Sequence, residues 1–271
     1  MIRLLATLAL ALALPACAAR APARPSGAPG PDPAAGDAFT TATAACRGFR
    51  SMTGELSLSG RAGGERIRGR VIAGLEAGGA VRLEGVAPFG PPVFILAGRA
   101  ERATLLLPRE HRVLTDTAVS AVLERLTGLA LGADDLRLMV SGCLVDQAAP
   151  RDGRQWPGGW QAVTLAPDRV AYVRAIQGRP VVVAADYGPW HVDYSDHLSG
   201  YPRVVRVRRL RQGSGAQGRA NDATTDVTAR VGELEVNTAI NPLAFTLEVP
   251  SDAEPMTLDE LRSVAPLVPK S

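Results

Sequence analysis

The chain is poor in the side chains that most enzymes and metal proteins use for chemistry. Its 271 residues include three His and three Cys. The sequence has no phosphate-binding loop, no dinucleotide-binding fingerprint and no paired-cysteine zinc motif. These absences argue against the common nucleotide-dependent enzymes and zinc modules. Lysine is scarce too: Lys270 is the single Lys, so arginine supplies almost all the positive charge, and the formal net charge is +3.

One segment does group residues of catalytic type, namely His191, Asp193, Ser195, Asp196 and His197. Strand alternation would place His191 and Asp193 on one face, with Ser195 on that face if the strand continues. Such a face could hold a metal or pair a serine with a histidine. No third element of a known triad or metal spacing accompanies it. We therefore favour a strand end that runs into a polar turn, and we do not expect an enzyme.

The N-terminus has the features of an export signal. Arg3 precedes an apolar run over residues 4–14, which is too short to span a bilayer stably. The run ends in Leu14-Pro15-Ala16-Cys17, which resembles a bacterial lipobox. Residues 1–16 are thus a predicted lipoprotein signal peptide, and Cys17 is the predicted acylated first residue of the mature protein. The alternative is an ordinary signal peptide with an incidental cysteine.

The segment after Cys17 is predicted to be a spacer. Residues 17–36 are mostly Ala, Pro and Gly, which cannot bury enough apolar surface to offset the entropy of ordering. We expect a lipid-anchored, disordered linker there. Residues 37–271 are long enough for one large core and are predicted to form a single domain.

The two remaining cysteines, Cys46 and Cys143, form an even pair in an exported chain. An oxidising compartment favours a disulfide between them. Two buried free thiols are the alternative. A metal site is disfavoured because neither cysteine has a Cys or His neighbour.

The hydrophobic periodicity is mostly that of β-strands. A helix is predicted over 37–50, and two more over 119–126 and 134–140, with Asp116 or Thr117 and Asp134 as N-caps. Consecutive strands with short turns indicate an α+β, mainly β fold, in which an antiparallel sheet curls with a few helices on one side. The predicted strands are 67–75, 81–84, 93–97, 103–107, 161–166, 169–176, 180–186, 190–194, 203–211, 224–231, 233–238 and 245–249.

A run of arginines without acids lies in one of these strands, at Arg203, Arg206, Arg208 and Arg209. One interpretation is a solvated strand face. The other is a patch that faces anionic lipid head groups. Nucleic acid is not an expected partner for an exported lipoprotein.

Three short motifs occur in order behind the lipobox. Residues 81–96 contain the turn Ala87-Pro88-Phe89-Gly90, residues 119–131 contain Leu126-Thr127-Gly128 at a helix end, and a second short helix follows over 135–142. Together they resemble the LolB outer-membrane lipoprotein receptors of the LolA/LolB-like superfamily, best over residues 53–142. The chain departs from the receptor in its greater length and in Phe89, where the receptor has Leu.

The resemblance implies an unclosed antiparallel β-barrel with a helical lid around an apolar cavity. It implies an outer-membrane lipoprotein that binds the acyl chains of lipidated proteins and helps to insert them into that membrane. The alternative is an anchored module of the same fold that binds another lipid or glycolipid without protein transfer. The residues expected to line the cavity are Ile67, Val71, Leu83, Val93, Ile95, Leu105, Leu107, Val122 and Leu126.

The resemblance also implies partners and a location. Lipidated proteins or lipid, a membrane surface and a periplasmic LolA-like carrier are the expected partners of a monomer without cofactors other than the acyl chains on Cys17. Ala18 follows the cysteine, whereas Asp there retains lipoproteins in the inner membrane of the family's best-known systems. We therefore expect a lipid-anchored outer-membrane protein whose domain faces the periplasm.

Phe89 is the most specific expectation. Pro88 and Gly90 favour a tight turn around it, and the two prolines that follow withhold backbone donors from any sheet edge. We expect Pro88, Phe89 and Gly90 to form the tip of a protruding loop that dips into the membrane, as the resemblance implies. The alternative is that Phe89 folds back into the core.

We predict that Cys17 is acylated in the mature protein. Mass spectrometry of the N-terminal peptide should show Cys17 as its first residue, with added acyl mass. A free amine at any other residue, without acyl mass, would contradict membrane anchoring through this cysteine.

Overall fold

The computed structural model describes residues 25–62, 64–100, 102–144, 150–209, 225–264 and 266–267. The signal peptide, Cys17 and the linker up to residue 24 lie outside these residues. The described chain forms one fifteen-stranded sheet and four α-helices. The predicted fold class, a mainly β structure with a curved, unclosed antiparallel sheet and a few helices, is confirmed.

The described residues contain four α-helices and fifteen β-strands. The helices are α1 (Ala35–Ala42), α2 (Val119–Thr127), α3 (Ala133–Ser141) and α4 (Leu258–Val264). The strands are β1 (Gly30–Pro31), β2 (Ser51–Ala62), β3 (Glu65–Glu76), β4 (Ala80–Val86), β5 (Phe94–Arg99), β6 (Arg102–Leu107), β7 (Arg112–Thr117), β8 (Arg151–Trp156), β9 (Trp160–Ala166), β10 (Arg169–Ile176), β11 (Arg179–Tyr187), β12 (Trp190–Ser195), β13 (Val204–Arg209), β14 (Thr225–Val236) and β15 (Glu254–Pro255).

The sheet joins two meanders through one long-range pairing. Its order is β1-β8-β9-β10-β11-β12-β13-β14-β2-β3-β4-β5-β6-β7-β15. Neighbours in sequence pair as antiparallel hairpins within each meander, and β14 pairs antiparallel with β2 between them. The final short strand β15 instead pairs parallel with β7. Residues more than 160 positions apart therefore meet in the middle of the sheet.

Two glycines of β2 allow this central pairing to be close. A Cβ on Gly60, whose φ is +148°, would lie 2.1 Å from the carbonyl oxygen of Asp226. A Cβ on Gly54 would lie 2.5 Å from the carbonyl oxygen of Glu233. Gly54 faces the irregularity at which the register of β14 shifts, between Val231 and Leu234. Such bulges bend a strand and increase its twist, which helps the sheet to curl.

The lid consists of α2 and α3, which place an apolar face on the sheet. Val119, Val122, Leu123 and Leu126 of α2 are all buried, at the helical spacing seen in the sequence. Gly128 ends α2 with a φ of 72°, a left-handed conformation that favours glycine. None of the helices within the described ranges is long and apolar enough to cross a lipid bilayer.

A capping box begins α4. The Thr257 backbone N–H donates to Glu260 Oε2 at 2.7 Å, and the Glu260 N–H donates to Thr257 Oγ1 at 3.3 Å. Arg112 of β7 donates to Glu260 at 2.9 Å, and Arg125 of α2 donates to Asp259 at 3.0 Å. The C-terminal helix is thereby attached to both the sheet and the lid.

The folded domain begins earlier than the sequence predicts. Gly30 and Pro31, assigned to the linker, pair with Gln155 and Arg154, and Ala35 is fully buried. The helix predicted over 37–50 is α1, which starts and ends earlier and is followed by a 3-10 turn at Ala44–Cys46. Ala35 packs in the core, so this part of the Ala-, Pro- and Gly-rich segment belongs to the folded domain.

Other predicted elements differ in their ends. The predicted strands 224–231 and 233–238 are one strand, β14, and residues 245–249 are not a strand. A 3-10 helix at Pro242–Phe245 precedes them, capped by the Asn241 side chain. The N-caps of α2 and α3 are Ala118 and Gly132, and neither makes a side-chain cap bond, so the predicted caps at Asp116, Thr117 and Asp134 are wrong.

Cys46 and Cys143 are joined by a disulfide, with their Cα atoms 5.4 Å apart. Cys46 ends the 3-10 turn after α1, and Cys143 follows the last residue of α3 and its cap Gly142. The bond therefore connects the N-terminal helical segment to the end of the lid.

We predict that neither thiol reacts with a maleimide in the unreduced, unfolded protein, and that both react after reduction. The Cys46→Ser/Cys143→Ser variant should lose about 4.7 kcal/mol of unfolding free energy, the chain-entropy value for a loop near 100 residues. Urea denaturation of both proteins measures this loss. Two titratable thiols before reduction would contradict the bond.

Candidate functional site: an apolar cavity under the lid and an exposed loop at its rim

A cavity lies between the concave face of the sheet and the lid. Its volume is about 70 Å³. Thr127 is the one residue with a polar side chain among those that line it. The others are Leu56, Leu58, Val71, Leu83, Phe94, Leu123, Leu126, Leu129, Leu131, Leu136, Val140, Val227 and Leu267. A cavity with such walls is expected to exclude water and to accept apolar groups.

The sequence predicts part of this lining. Val71, Leu83 and Leu126 border the cavity as expected. Four other expected residues are buried in the surrounding core instead: Ile67, Leu105, Leu107 and Val122. They contribute to packing around the site rather than to its surface.

The prediction that Val93 and Ile95 line the cavity is wrong. Phe94 and Leu96 of β5 are buried, while Ile95 is half-buried on the opposite face and Val93 lines a separate cleft. The segment is apolar at every position, so alternation could not decide which set points inward. The cavity residues of β2, Leu56 and Leu58, were missed although they alternate with Glu55, Ser57 and Ser59.

Helix α3 is attached to the sheet through its side chains. The Tyr187 hydroxyl donates to Asp135, and Arg169 lies 3.5 Å from the same carboxylate. Arg137 donates to Asp134 at 3.1 Å and lies over the ring of Phe49, with its guanidinium carbon 5.1 Å from the ring centroid. Together with the disulfide beyond its C-terminus, these contacts hold α3 in place.

The loop between β4 and β5 carries Phe89 into solvent. Its side chain is 88% exposed, the largest value among the large exposed apolar residues described. Gly90, with a φ of 78°, follows it in the turn. The alternative that Phe89 is a core residue is therefore wrong. Phe94, which lines the cavity, is the first residue after the loop, so the loop ends at the cavity rim.

Arg109 holds this loop from the neighbouring hairpin. Its guanidinium donates to the carbonyl oxygen of Phe89, and its Nε donates to that of Pro91 at 3.3 Å. Arg109 lies in the turn between β6 and β7. The exposed ring is thus carried by a loop whose backbone is bonded to the domain.

The His191 cluster forms a charge network on the convex face. His191 Nδ1 lies 2.6 Å from Asp186 Oδ1, and its Nε2 lies 3.2 Å from Asp193 Oδ1. Arg208 donates to the other oxygen of Asp193 at 2.6 Å. His197 instead bonds the carbonyl oxygen of Val182 at 3.0 Å. Both nitrogens of His191 face carboxylates, so neither is placed to activate Ser195.

The electrostatics of this network favour a charged imidazole. Burial lowers the pKa of His191, but the hydrogen bonds and charges of Asp186 and Asp193 outweigh it, so the pKa is raised. Burial raises the pKa of Asp193, but His191 and Arg208 outweigh it, so that pKa is lowered. A doubly protonated imidazole can donate from both nitrogens, as this geometry requires.

The predicted arginine patch is not free. Arg206 donates two hydrogen bonds to Asp226, and Arg208 is bound to Asp193. Arg203 donates to the carbonyl oxygen of Gly232, and Arg209 lies over the ring of Trp190. Because their partners come from other strands or turns, the four residues do not form the single exposed patch that a lipid surface would need.

Metal-ligating side chains are not clustered in the described part of the chain. No group of three or more His, Cys, Asp or Glu side chains there could hold a metal ion. The carboxylates around His191 are used by the imidazole and by Arg208.

No family model matches the chain, and no curated protein matches it either. Several solved structures overlap it at low sequence identity. The domain of a putative outer-membrane lipoprotein-sorting protein from Vibrio parahaemolyticus has 10% identity and a TM-score of 0.43, over 78% of this chain and 95% of that one.

Two further overlaps are similar in extent. A LolA superfamily protein from Nitrosomonas europaea has 10% identity and a TM-score of 0.42, over 79% of this chain and 97% of that one. The lipoprotein LppX from Mycobacterium tuberculosis has 9% identity and a TM-score of 0.33, over 78% and 98%. The assignment of the fold rests on the strand pairing described above.

We predict that His191 makes the stability of the domain depend on pH. A histidine whose pKa is raised on folding contributes stability below its unfolded pKa, near 6.5, and this contribution is lost as the pH rises through the folded value. The unfolding free energy should therefore fall as the pH rises above 6.5. Urea denaturation across this range measures it.

Substitutions distinguish the contribution of His191 to this pH dependence from those of the other histidines. His191→Gln should lower the unfolding free energy by about 3 kcal/mol at pH 6.5, since it breaks a buried charge pair, and should flatten the decline above that pH. The exposed His111 serves as control through His111→Gln, which should keep the decline. Burial lowers the pKa of His197, so the contribution of His197 to the pH dependence of stability lies below pH 6.5. An unchanged decline in His191→Gln would contradict the charged imidazole.

Proposed function

We propose that the protein is an anchored, non-catalytic lipid-binding protein that takes acyl chains of lipidated proteins into its apolar cavity and helps to insert them into the outer membrane. In this role it acts as a LolB-like receptor that faces the periplasm and accepts cargo from a LolA-like carrier. The exposed Phe89 at the rim of the cavity is the observation that carries the proposal. The lipobox and the motif order in the sequence support it.

The physical problem is the cost of an acyl chain in water. A chain of about sixteen carbons exposed to water costs on the order of 12 kcal/mol, at roughly 0.8 kcal/mol per methylene. The concave face of the sheet and the lid offer an apolar surface in its place. Binding there requires no reactive side chain, and His191, the buried histidine, is bound by carboxylates.

The cavity is narrow. Its volume of about 70 Å³ corresponds to roughly two water molecules, each occupying about 30 Å³. An acyl chain is many times larger, so the lid has to move. Because α3 is held by the disulfide and α4 is bonded to β7 through Arg112, we assign the movement to α2. Displacing Leu123 and Leu126 would widen the cavity between the lid and the sheet.

Phe89 promotes delivery of the cargo by inserting its ring into the bilayer. Burying a phenylalanine in an apolar medium is worth about 1.5–3 kcal/mol, which is available when the ring enters a bilayer. Arg109 keeps the loop backbone fixed, so insertion would hold the cavity rim at the membrane surface. A cargo chain leaving the cavity past the β4–β5 loop would then meet lipid rather than water.

The test is Phe89→Glu in a transfer assay that moves lipidated cargo from a purified carrier to liposomes. We expect the unfolding free energy to change by less than about 0.5 kcal/mol, because the side chain is exposed. The rate of delivery should fall at least about tenfold, since the lost burial exceeds 1.4 kcal/mol. Binding of cargo to the protein should remain.

Leu243 offers a matched control, because it is 74% exposed and lies in a 3-10 turn away from the loop. Leu243→Glu should deliver cargo like the wild type. Equal loss in both variants would contradict the loop's role. Wild-type protein that binds lipid yet transfers no cargo would favour the alternative, a lipid- or glycolipid-binding module without protein transfer.

A further inference from the structure

We infer that a cleft on the convex face, beside the Phe89 loop, binds the phosphate of an anionic phospholipid head group in the acceptor membrane. The inference rests on the proposed function in one respect, that Phe89 enters that membrane. The cleft has a volume of about 770 Å³, and Arg68, Arg70 and Arg230 line it together with Ser57 and Ser59.

The strand register builds this cleft. Ser57 of β2 lies directly between Arg230 of β14 and Arg70 of β3. Ser59 pairs with Arg68 in the next row of the same face. With strands about 4.8 Å apart, the two arginines beside Ser57 have backbones roughly 10 Å apart, a separation that their long side chains can bridge around one phosphate. Two hydroxyls then form the floor, and the guanidinium groups form the sides.

The described part of the protein balances the charges of this group only in part, through Glu55. Arg70 lies 3.6 Å from Glu55, and both side chains are substantially exposed. No acidic partner of Arg68 or Arg230 is found among the described residues. Arg61 and Arg66, directly opposite each other in the same hairpin, add further positive charge. Like charges held together are unfavourable, and a guanidinium group offers the paired donors that suit a phosphate.

The position of the cleft points to a membrane rather than to a free anion. Pro88 and Val93, at the two ends of the Phe89 turn, line the cleft together with Val86, the last residue of β4. When the ring of Phe89 reaches the acyl region, the base of its loop lies at the depth of the head groups. The arginines would then meet lipid phosphates, while the apolar cavity lies on the opposite face, with Leu58 and Leu267 bordering both spaces.

The test measures head-group binding to the full chain in a non-ionic detergent, without cargo. Isothermal titration uses three probes: dihexanoyl phosphatidylglycerol, dihexanoyl phosphatidylcholine and inorganic phosphate. We expect the phosphatidylglycerol to bind more tightly than the other two. Arg68→Gln/Arg230→Gln should raise its Kd about 25-fold, because each arginine near an anionic lipid contributes about fivefold. Arg230→Gln alone should give about fivefold.

A control removes the same charge elsewhere. Arg174→Gln/Arg179→Gln, on the far part of the sheet, should leave the Kd unchanged, and the melting temperature verifies that each variant is folded. Equal affinity for the two lipids, phosphate binding as tight as that of phosphatidylglycerol, or equal loss in the control would each overturn the inference. Because no cargo is present, this result is independent of the outcome for Phe89→Glu.

Discussion

The pairing of β14 with β2 is the constraint on which both surfaces of the molecule depend. It joins the two meanders into one sheet, and it brings the residues of two distant segments into register. On the concave side it places Val227, opposite Gly60, in the same cavity wall as Leu56 and Leu58. On the convex side it places Arg230 beside Ser57 in the cleft. Since successive residues of a strand point to opposite faces, one pairing serves two environments.

This arrangement explains why glycine is needed at the junction. At Gly54 and Gly60 a side chain would collide with the backbone of β14. A substitution at either position would therefore separate the strands or shift the register. Because the period of a strand is two, a shift by one residue would turn the leucines outward and the serines and arginines inward. The cavity and the cleft would be lost together.

The sequence predicts elements well where its pattern is unambiguous. The bounds of β10 agree with the prediction, because Pro167-Asp168 and Gln177-Gly178 mark a turn on each side of the strand. Prediction failed for the faces of β5, because apolar residues occupy both faces, and for residues 245–249, where Pro242 and the cap at Asn241 impose a 3-10 turn. The early start of the domain was missed since Ala, Gly and Pro are as compatible with a linker as with close packing.

The candidate site, like the fold, could be predicted from the sequence only where the signal was local. Phe89 could be identified because Pro88 and Gly90 flank it, a local signal. The fate of Arg206 and Arg208 could not be predicted, because their partners Asp226 and Asp193 lie on neighbouring strands. A run of arginines in the sequence does not indicate a free patch until the residues opposite it are known.

The arginines of the convex face have two different environments: some are paired with acids, and others lie beside serines. Around His191, three acids meet Arg206, Arg208 and the imidazole, so a charged His191 balances the network within the protein. Near the Phe89 loop, the same face and partly the same strand β14 carry arginines with serine neighbours instead. The arginines of the His191 network are paired with acids, because buried charges without partners are costly. Cations kept at the surface without acids gain stability when an anion arrives from outside, and the cleft at the base of the loop is where a membrane would supply it.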